Sequence, residues 1–210
     1  MRKYITEFIG TFFLVLVVAL TGNAAAIGVT LMVMIFAGGH VSGAHYNPAV
    51  TLAVLIRGKI SSREAIAYMV VQIFAAIVAA LIAKWYMADM GVATMDLSGK
   101  VVKAFTSELI GTFALAYVVL NVATSKGTIG NNFYGLAIGL TVFAMASTFG
   151  SISGGAFNPA VAIGATVVKA FALKNIWIYL IACFGGSFLA ALVFNFINQE
   201  DKHVPPLVKS

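Results

Sequence analysis

Six long apolar stretches, separated by short polar loops, dominate the pattern of residues along the chain. A helix needs roughly 20 apolar residues to cross a hydrocarbon core of about 30 Å. On this criterion, spans are predicted at residues 4–24, 27–41, 63–87, 102–124, 133–150 and 175–198. The second and fifth spans are short, and each continues into a segment rich in glycine and serine. The pattern therefore predicts an all-α membrane protein.

The order of motifs repeats once along the chain. The segment TEFIGTFFL at 6–14 recurs as SELIGTFAL at 107–115, and GHVSGAHYNPAV at 39–50 recurs as GSISGGAFNPAV at 150–161. Each half holds three spans, an odd number, so the second half enters the membrane from the opposite side and the halves form an inverted repeat. We predict a single domain at 1–198, with repeats at about 4–87 and 102–198, and a polar tail at 199–210.

The tripeptide Asn-Pro-Ala occurs once in each half, as Asn47, Pro48 and Ala49 and then as Asn158, Pro159 and Ala160. Asparagine is a favoured N-cap and proline a favoured first helical residue, so a helix is predicted to begin at each proline. About ten mostly apolar residues follow before a basic residue, and ten helical residues span about 15 Å, half of the core. Two half-helices are thus predicted to meet, start to start, near the bilayer midplane.

Such a meeting of helix starts predicts a polar centre in mid-membrane. Each start carries roughly half a positive charge, and two aimed at one point repel cations and protons. Each asparagine is expected to cap its helix with its carbonyl oxygen and to keep its NH2 donors free for a passing oxygen atom. The segments at 38–46 and 150–157 are predicted to be extended, with carbonyl acceptors along a pore.

The composition is typical of a protein embedded in a lipid bilayer. Of its residues, 61% are apolar and 10% are charged, whereas about 25% are charged in soluble domains. The net charge of +6 is spread over the loops, which indicates contact with anionic membrane lipid and not with nucleic acid. With the N-terminus inside, the 13 Lys and Arg residues divide into eight cytoplasmic and five on the other side. Both termini are therefore predicted to be cytoplasmic.

The N-terminal segment has a second interpretation. A basic start followed by an apolar run and small residues is also typical of a secretory signal peptide. However, Glu7 stands inside the run, and the same pattern recurs at 107–115, where no signal peptide can lie. We therefore interpret the segment as the first membrane span.

Two carboxylates, Glu7 and Glu108, lie deep in spans at the same place in each repeat. An acid in mid-span costs about 2.5–3.5 kcal/mol on insertion scales, so each carboxylate needs partners. One interpretation is a proton relay or an ion site. The favoured one is that each carboxylate accepts hydrogen bonds from the loop backbone of its own half.

Other polar residues precede the asparagines. Ser42 and Ser153 are expected to cap or brace their loops, and His45 to brace its loop, with pore lining as the alternative. For His40 the two roles are equally favoured. Three histidines and the single cysteine, Cys183, do not make a metal site, so no metal or cofactor is predicted.

Some positions are assigned to packing and to the membrane interface. The glycines at 10, 111, 135 and 139 are interpreted as small faces that let helices approach closely. Aromatic residues near the predicted span ends are interpreted as interface anchors: Tyr4, Trp85, Tyr86, Trp177 and Tyr179.

The paired Asn-Pro-Ala motifs, each preceded by a Ser-Gly pair, and the paired E-x-x-G-T starts resemble the major intrinsic protein family, which contains aquaporins and glycerol facilitators. The resemblance covers about residues 4–196. It implies a bundle of six helices with two re-entrant half-helices, one pore per subunit and a homotetramer in the plasma (inner) membrane. It also implies passive transport of water and small uncharged solutes, and no enzymatic activity.

The resemblance assigns a constriction on the extracellular side, where this chain departs from the family pattern. The family usually carries Arg directly after the second Asn-Pro-Ala, and this chain has Val161; the other constriction positions match Ile27, Ala146 and Gly155. Water-selective members typically have an aromatic residue at the first position and histidine at the second. We therefore expect a wider, aliphatic and uncharged filter that passes water and small neutral solutes such as glycerol, urea, ammonia or peroxide.

Alternatives of other classes stay open. Without the Arg the pore would leak ions if the central barrier were too weak, and apolar walls that dewet would give a solute pore that carries little water. A gated ion channel would want charged rings, and an intramembrane enzyme a nucleophile with its base or a metal set; the sequence favours neither. A sealed filter would leave a purely structural junction protein.

Overall fold

The computed structural model describes residues 1–89 and 91–199, which form eight α-helices and two short 3-10 turns, Lys126–Thr128 and Leu173–Asn175. The helices are α1 (Arg2–Thr21), α2 (Ala24–Ser42), α3 (Pro48–Ile56), α4 (Ser62–Tyr86), α5 (Val101–Thr124), α6 (Tyr134–Ser153), α7 (Pro159–Val167) and α8 (Ile176–Ile197). All but α3 and α7 are long and apolar enough to cross a membrane, which confirms the six predicted spans. Apart from residue 199, the predicted tail at 199–210 lies outside the described residues.

The helices before the asparagines end later than predicted. We expected extended backbone over 38–46 and 150–157, but α2 continues to Ser42 and α6 to Ser153. Each helix then stops at a glycine with positive φ, 86° at Gly43 and 96° at Gly154, whose N–H closes the last turn. Glycine adopts this left-handed conformation without steric cost, so it ends the helix. The non-helical approaches are therefore only four residues each, 43–46 and 154–157.

The packing of the helices shows the inverted repeat directly. The α1–α4 contact of the first half has its counterpart in the α5–α8 contact of the second. Between the halves, α2 packs on α6, and each half-helix packs on the last long helix of the other half, α3 on α8 and α7 on α4. Each of these contacts has a counterpart when the two halves are exchanged. The core therefore lies at the interface between the two repeats, here called the seam.

Glycines bring these helices close together. A Cβ built on Gly28 of α2 would lie 2.7 Å from the carbonyl oxygen of Gly139 on α6, so only glycine fits where the two helices cross. In α1, a Cβ on Gly10 would overlap the ring of Tyr46, and in α5 a Cβ on Gly111 would overlap that of Phe157. The aromatic residue before each asparagine thus fits against a glycine of the first helix of its own half.

A pair of neighbouring glycines in α8 tests this close packing. A Cβ on Gly186 would overlap the backbone of α5 at Leu109, whereas a Cβ on Gly185 would lie 3.8 Å from the nearest atom. We expect Gly186→Ala to destabilise the protein by about 1–3 kcal/mol through overpacking. The matched Gly185→Ala should leave stability unchanged or raise it slightly, because alanine favours helix. Thermal unfolding in detergent measures both, and equal effects would contradict the packing argument.

Candidate functional site

The two half-helices begin where their asparagines cap them. Asn47 Oδ1 accepts hydrogen bonds from the N–H groups of Ala49, at 2.8 Å, and Val50, at 3.4 Å. Asn158 Oδ1 accepts from Ala160 N–H at 2.9 Å. Proline is the first residue of each helix, and each helix is nine residues long. The predicted starts at Pro48 and Pro159 are confirmed.

The amide groups of the two asparagines link the halves. Asn47 Nδ2 donates to the carbonyl oxygen of Phe157 at 2.9 Å, and Asn158 Nδ2 donates to that of Tyr46 at 3.0 Å. We expected the NH2 donors to remain free, but one N–H of each amide is used in this reciprocal bond, because each cap faces the last carbonyl of the opposite loop. Since an amide has two N–H groups, one donor of each side chain is not used in this bond.

The loops that precede the asparagines hold a strained backbone. Ala44, Tyr46 and Phe157 have φ of 51°, 49° and 47°, a left-handed conformation that residues with a Cβ rarely adopt. Such conformations cost on the order of 1–3 kcal/mol and persist only where surrounding contacts fix them.

In the first half, Glu7 accepts the hydrogen bonds that fix the strained loop backbone. Its Oε1 accepts from Ser42 Oγ at 2.7 Å and His45 N–H at 3.0 Å, and its Oε2 accepts from Tyr46 N–H at 2.7 Å. Gln72 Nε2 from α4 also donates to Oε2, at 2.9 Å. One buried carboxylate therefore accepts hydrogen bonds from four donors.

Glu108 occupies the equivalent position in the second half. It accepts from Ser153 Oγ at 2.7 Å, Ala156 N–H at 3.0 Å and Phe157 N–H at 2.7 Å. Where the first half has Gln72, the second has the buried thiol of Cys183, with Sγ 3.8 Å from Oε2. Each acid thus contacts the loop of its own half.

A cavity, here called the lumen, passes the asparagine pair; together with the space that is open to solvent, its volume is ≈ 650 Å³. On one side of the pair it is lined by Ile27, Gly155 and Val161. Ala146 is not among its lining residues; its Cα lies 3.5 Å from a Cβ built on Gly155, so it stands behind that glycine. The structure thus brings three of the four predicted filter residues to the lumen wall.

The other side of the lumen opens into a vestibule of ≈ 1870 Å³. Residues at the junction line both cavities: Gly43, His45, Val119, Ala123 and Tyr134. His40 is exposed and lines the vestibule, and Ser42, the last residue of α2, donates a hydrogen bond to Glu7. Of the two histidines of the motif, the structure therefore places His45 at the lumen and His40 outside it.

Several polar residues of the site are not predicted from the sequence. Gln72 and Thr51 are fully buried and hydrogen-bonded to each other, with Gln72 Nε2 donating to Thr51 Oγ1 at 3.1 Å. A lone glutamine inside the apolar run of α4 was the available signal. Tyr68 and Tyr179 are also buried, and their hydroxyls donate to the carbonyls of Ser42 and Ser153. The interpretation of Tyr179 as an interface anchor was wrong, because its ring points into the core.

Within residues 1–89 and 91–199, no cluster of three or more His, Cys, Asp or Glu side chains is placed to hold a metal ion.

Comparison with known proteins gives concordant matches. Residues 1–194 match the family described as Major intrinsic protein. The chain is 37% identical to the "Glycerol uptake facilitator protein-like 6" of Lactiplantibacillus plantarum, covering 96% of this chain and all of the relative. It is 34% identical to "Aquaporin NIP1-1" of Arabidopsis thaliana, covering all of this chain and 78% of the relative. The fold matches the aquaglyceroporin of Plasmodium falciparum with a TM-score of 0.80 at 24% identity, over 99% of this chain and 98% of that one.

The reciprocal bonds between the halves can be tested at Asn158. Asn158→Asp keeps the oxygen that caps α7 but replaces the N–H that faces Tyr46 with a second oxygen, so two acceptors would meet. We expect a loss of stability of about 1–3 kcal/mol. Asn23→Asp is the matched control, because Asn23 caps α2 through Oδ1 at an exposed site. Thermal unfolding of both variants checks this, and equal stability of the two would contradict it.

Proposed function

The chain belongs to the major intrinsic protein family and is a passive channel for water and small solutes, and from this premise we propose that it conducts small neutral solutes, such as glycerol, urea, ammonia or peroxide, through a wide aliphatic filter. In the proposal, Ile27, Gly155 and Val161 line that filter, and Ala146 lies behind Gly155. The Asn-Pro-Ala pair excludes cations and protons.

One observation carries the proposal, namely the identity of residue 161. It is an aliphatic residue in the first turn of α7, and it lines the lumen next to the asparagine pair. An arginine there would supply a fixed positive charge and donors that hold one kind of solute. Valine supplies neither, so the filter gives little penalty against a solute with a carbon backbone, and size then decides what passes.

The rest of the lumen wall supports the same conclusion. Among the described residues that line it, the polar side chains are His45, Asn47, Tyr134 and Asn158, and none is Lys or Arg. The remaining lining residues are aliphatic or glycine. Apolar walls with a few placed polar groups are typical of sites that bind small molecules of mixed polarity.

Exclusion of cations then rests on the two helix starts. The N-termini of α3 and α7 direct partial positive charge at the same region. Because one N–H of each asparagine is used across the seam, the second is available to bind a passing oxygen. A water molecule that accepts from both points its hydrogens outward, and a chain of waters is interrupted there for proton transfer.

The setting of the channel is also part of the proposal. By family resemblance we propose a homotetramer in the plasma (inner) membrane. The division of basic residues supports cytoplasmic termini, because the vestibule side carries Lys3, Lys59 and Lys126.

The filter is tested by Val161→Arg, which adds a fixed charge and a larger side chain to the lumen. We expect permeability to glycerol and urea to fall at least about tenfold, because the new side chain narrows and charges the passage; a tenfold fall corresponds to about 1.4 kcal/mol in the barrier. Stopped-flow light scattering of proteoliposomes measures water and both solutes side by side. Val161→Leu is the control, because it keeps the wall aliphatic. Unchanged solute permeability in Val161→Arg would show that the filter lies elsewhere.

Measurements on the unmodified chain in planar bilayers and in proteoliposomes separate the alternatives. Currents in planar bilayers from the unmodified chain would favour an ion leak over cation exclusion. Glycerol flux with water flux at the lipid background would favour a dewetted solute pore. No flux of any solute would favour a structural protein with a sealed filter.

A further inference from the structure

The first half of the channel has two neighbouring polar residues, His45 and Thr51, that have no polar counterpart in the second half. His45 and Thr51 of the first half correspond to Ala156 and Ala162 of the second. The second loop, with its alanines, is nevertheless held by Glu108 through the same set of hydrogen bonds that Glu7 gives the first. The loop geometry therefore does not require a histidine, and the imidazole of His45 needs another explanation.

Hydrogen-bond accounting at Thr51 fixes the state of that imidazole. Thr51 Oγ1 lies 3.0 Å from the carbonyl oxygen of Asn47, and two acceptors at that distance need the hydroxyl hydrogen between them. The hydroxyl has only one hydrogen, so its lone pairs must accept from its other neighbours. These are Gln72 Nε2 and His45 Nδ1, both at 3.1 Å. His45 Nδ1 is then the donor and carries a hydrogen.

The orientation of the Gln72 amide is determined by its neighbours. Its Nε2 also lies 2.9 Å from Glu7 Oε2, and the opposite orientation would place an amide oxygen against a carboxylate. The nitrogen must therefore face both Glu7 and Thr51, and it cannot accept a hydrogen from the Thr51 hydroxyl.

The second ring nitrogen of His45 faces the lumen. A Cβ built on Gly43 would lie 3.4 Å from Nε2, and both residues line the junction of lumen and vestibule. Among the described residues Nε2 has no protein partner, yet it is not sealed in the core. The ring is held edge-to-face against Tyr68, with centroids 5.2 Å apart, so it does not turn to hide this atom.

The imidazole ring of His45 is neutral. In the described part of the chain no carboxylate lies within ion-pair distance of the His45 ring, and a buried charge without a partner is costly. Since Nδ1 carries the hydrogen of a neutral ring, Nε2 has a bare lone pair.

We propose that His45 is a specificity-determining residue of the channel, which holds its hydrogen on Nδ1 and presents Nε2 as a hydrogen-bond acceptor to the lumen, so that solutes able to donate a hydrogen bond pass in preference to solutes that only accept. The proposal rests on the proposed function, because it names the class of solute for the same lumen. A donor-free solute that displaces water from Nε2 leaves the acceptor unpaired, and such a site discriminates strongly.

The tautomer is tested first, without reference to transport. In protein labelled with ¹⁵N-histidine, the unprotonated Nε2 of His45 should give the far-downfield shift of a bare ring nitrogen, assigned by its loss in His45→Ala. In Thr51→Val the acceptor for Nδ1 is gone, and the hydrogen should move to Nε2. Thr51→Ser keeps the hydroxyl and should keep the original tautomer. A protonated Nε2 in the unmodified protein overturns the proposal.

Transport tests the consequence. Urea donates hydrogen bonds and dimethyl sulfoxide only accepts them, and stopped-flow on proteoliposomes, corrected for protein-free vesicles, gives the ratio of their permeabilities. We expect that ratio to fall about tenfold in His45→Ala. His45→Phe keeps a ring against Tyr68 without either nitrogen, and it should give the same fall if the alanine variant does not fold.

The outcomes separate this proposal from the proposed function. An unchanged ratio with intact flux in both variants overturns the role of His45 alone. An unmodified channel that carries neither solute overturns the proposed function, and the specificity role with it, whatever the tautomer.

Discussion

The structure depends on one constraint: backbone N–H groups at the middle of a membrane have no water to bond, so the protein must supply every partner. The four-residue loops before the half-helices are non-helical and partly left-handed, and their N–H groups cannot bond within a helix. Glu7 and Glu108 meet this need, each from the first helix of its half. The two buried carboxylates, although costly, thus stabilise the two short non-helical loops. Those loops allow the half-helices to meet in the membrane and a pore to form.

The asparagines make the two halves one structure. Each caps its own half-helix with its amide oxygen and donates a hydrogen bond from its amide N–H to the last carbonyl oxygen of the opposite loop. Neither half completes the site alone, because each supplies the acceptor that the other's amide uses. The lumen consequently lies along the seam between the repeats, where small residues such as Gly28 and Gly139 bring the long helices together.

A feature could be predicted from the sequence when the interaction behind it joins residues that are close along the chain. The starts at Pro48 and Pro159 and the six spans obey local rules of capping, length and hydropathy, and these predictions are confirmed. The engaged amide N–H groups join residues more than one hundred positions apart, which no local pattern reports. The late ends of α2 and α6 were missed because apolar and small residues continue past the predicted stop, and only the left-handed glycine marks it.

The position of Cys183 has a practical consequence. It is the only cysteine of the chain, and its thiol is fully buried behind Glu108, away from the lumen. A new cysteine placed along the lumen wall would therefore be the sole group open to thiol reagents. Alkylating probes of graded width, added to either face, would measure the diameter of the passage position by position against a silent background.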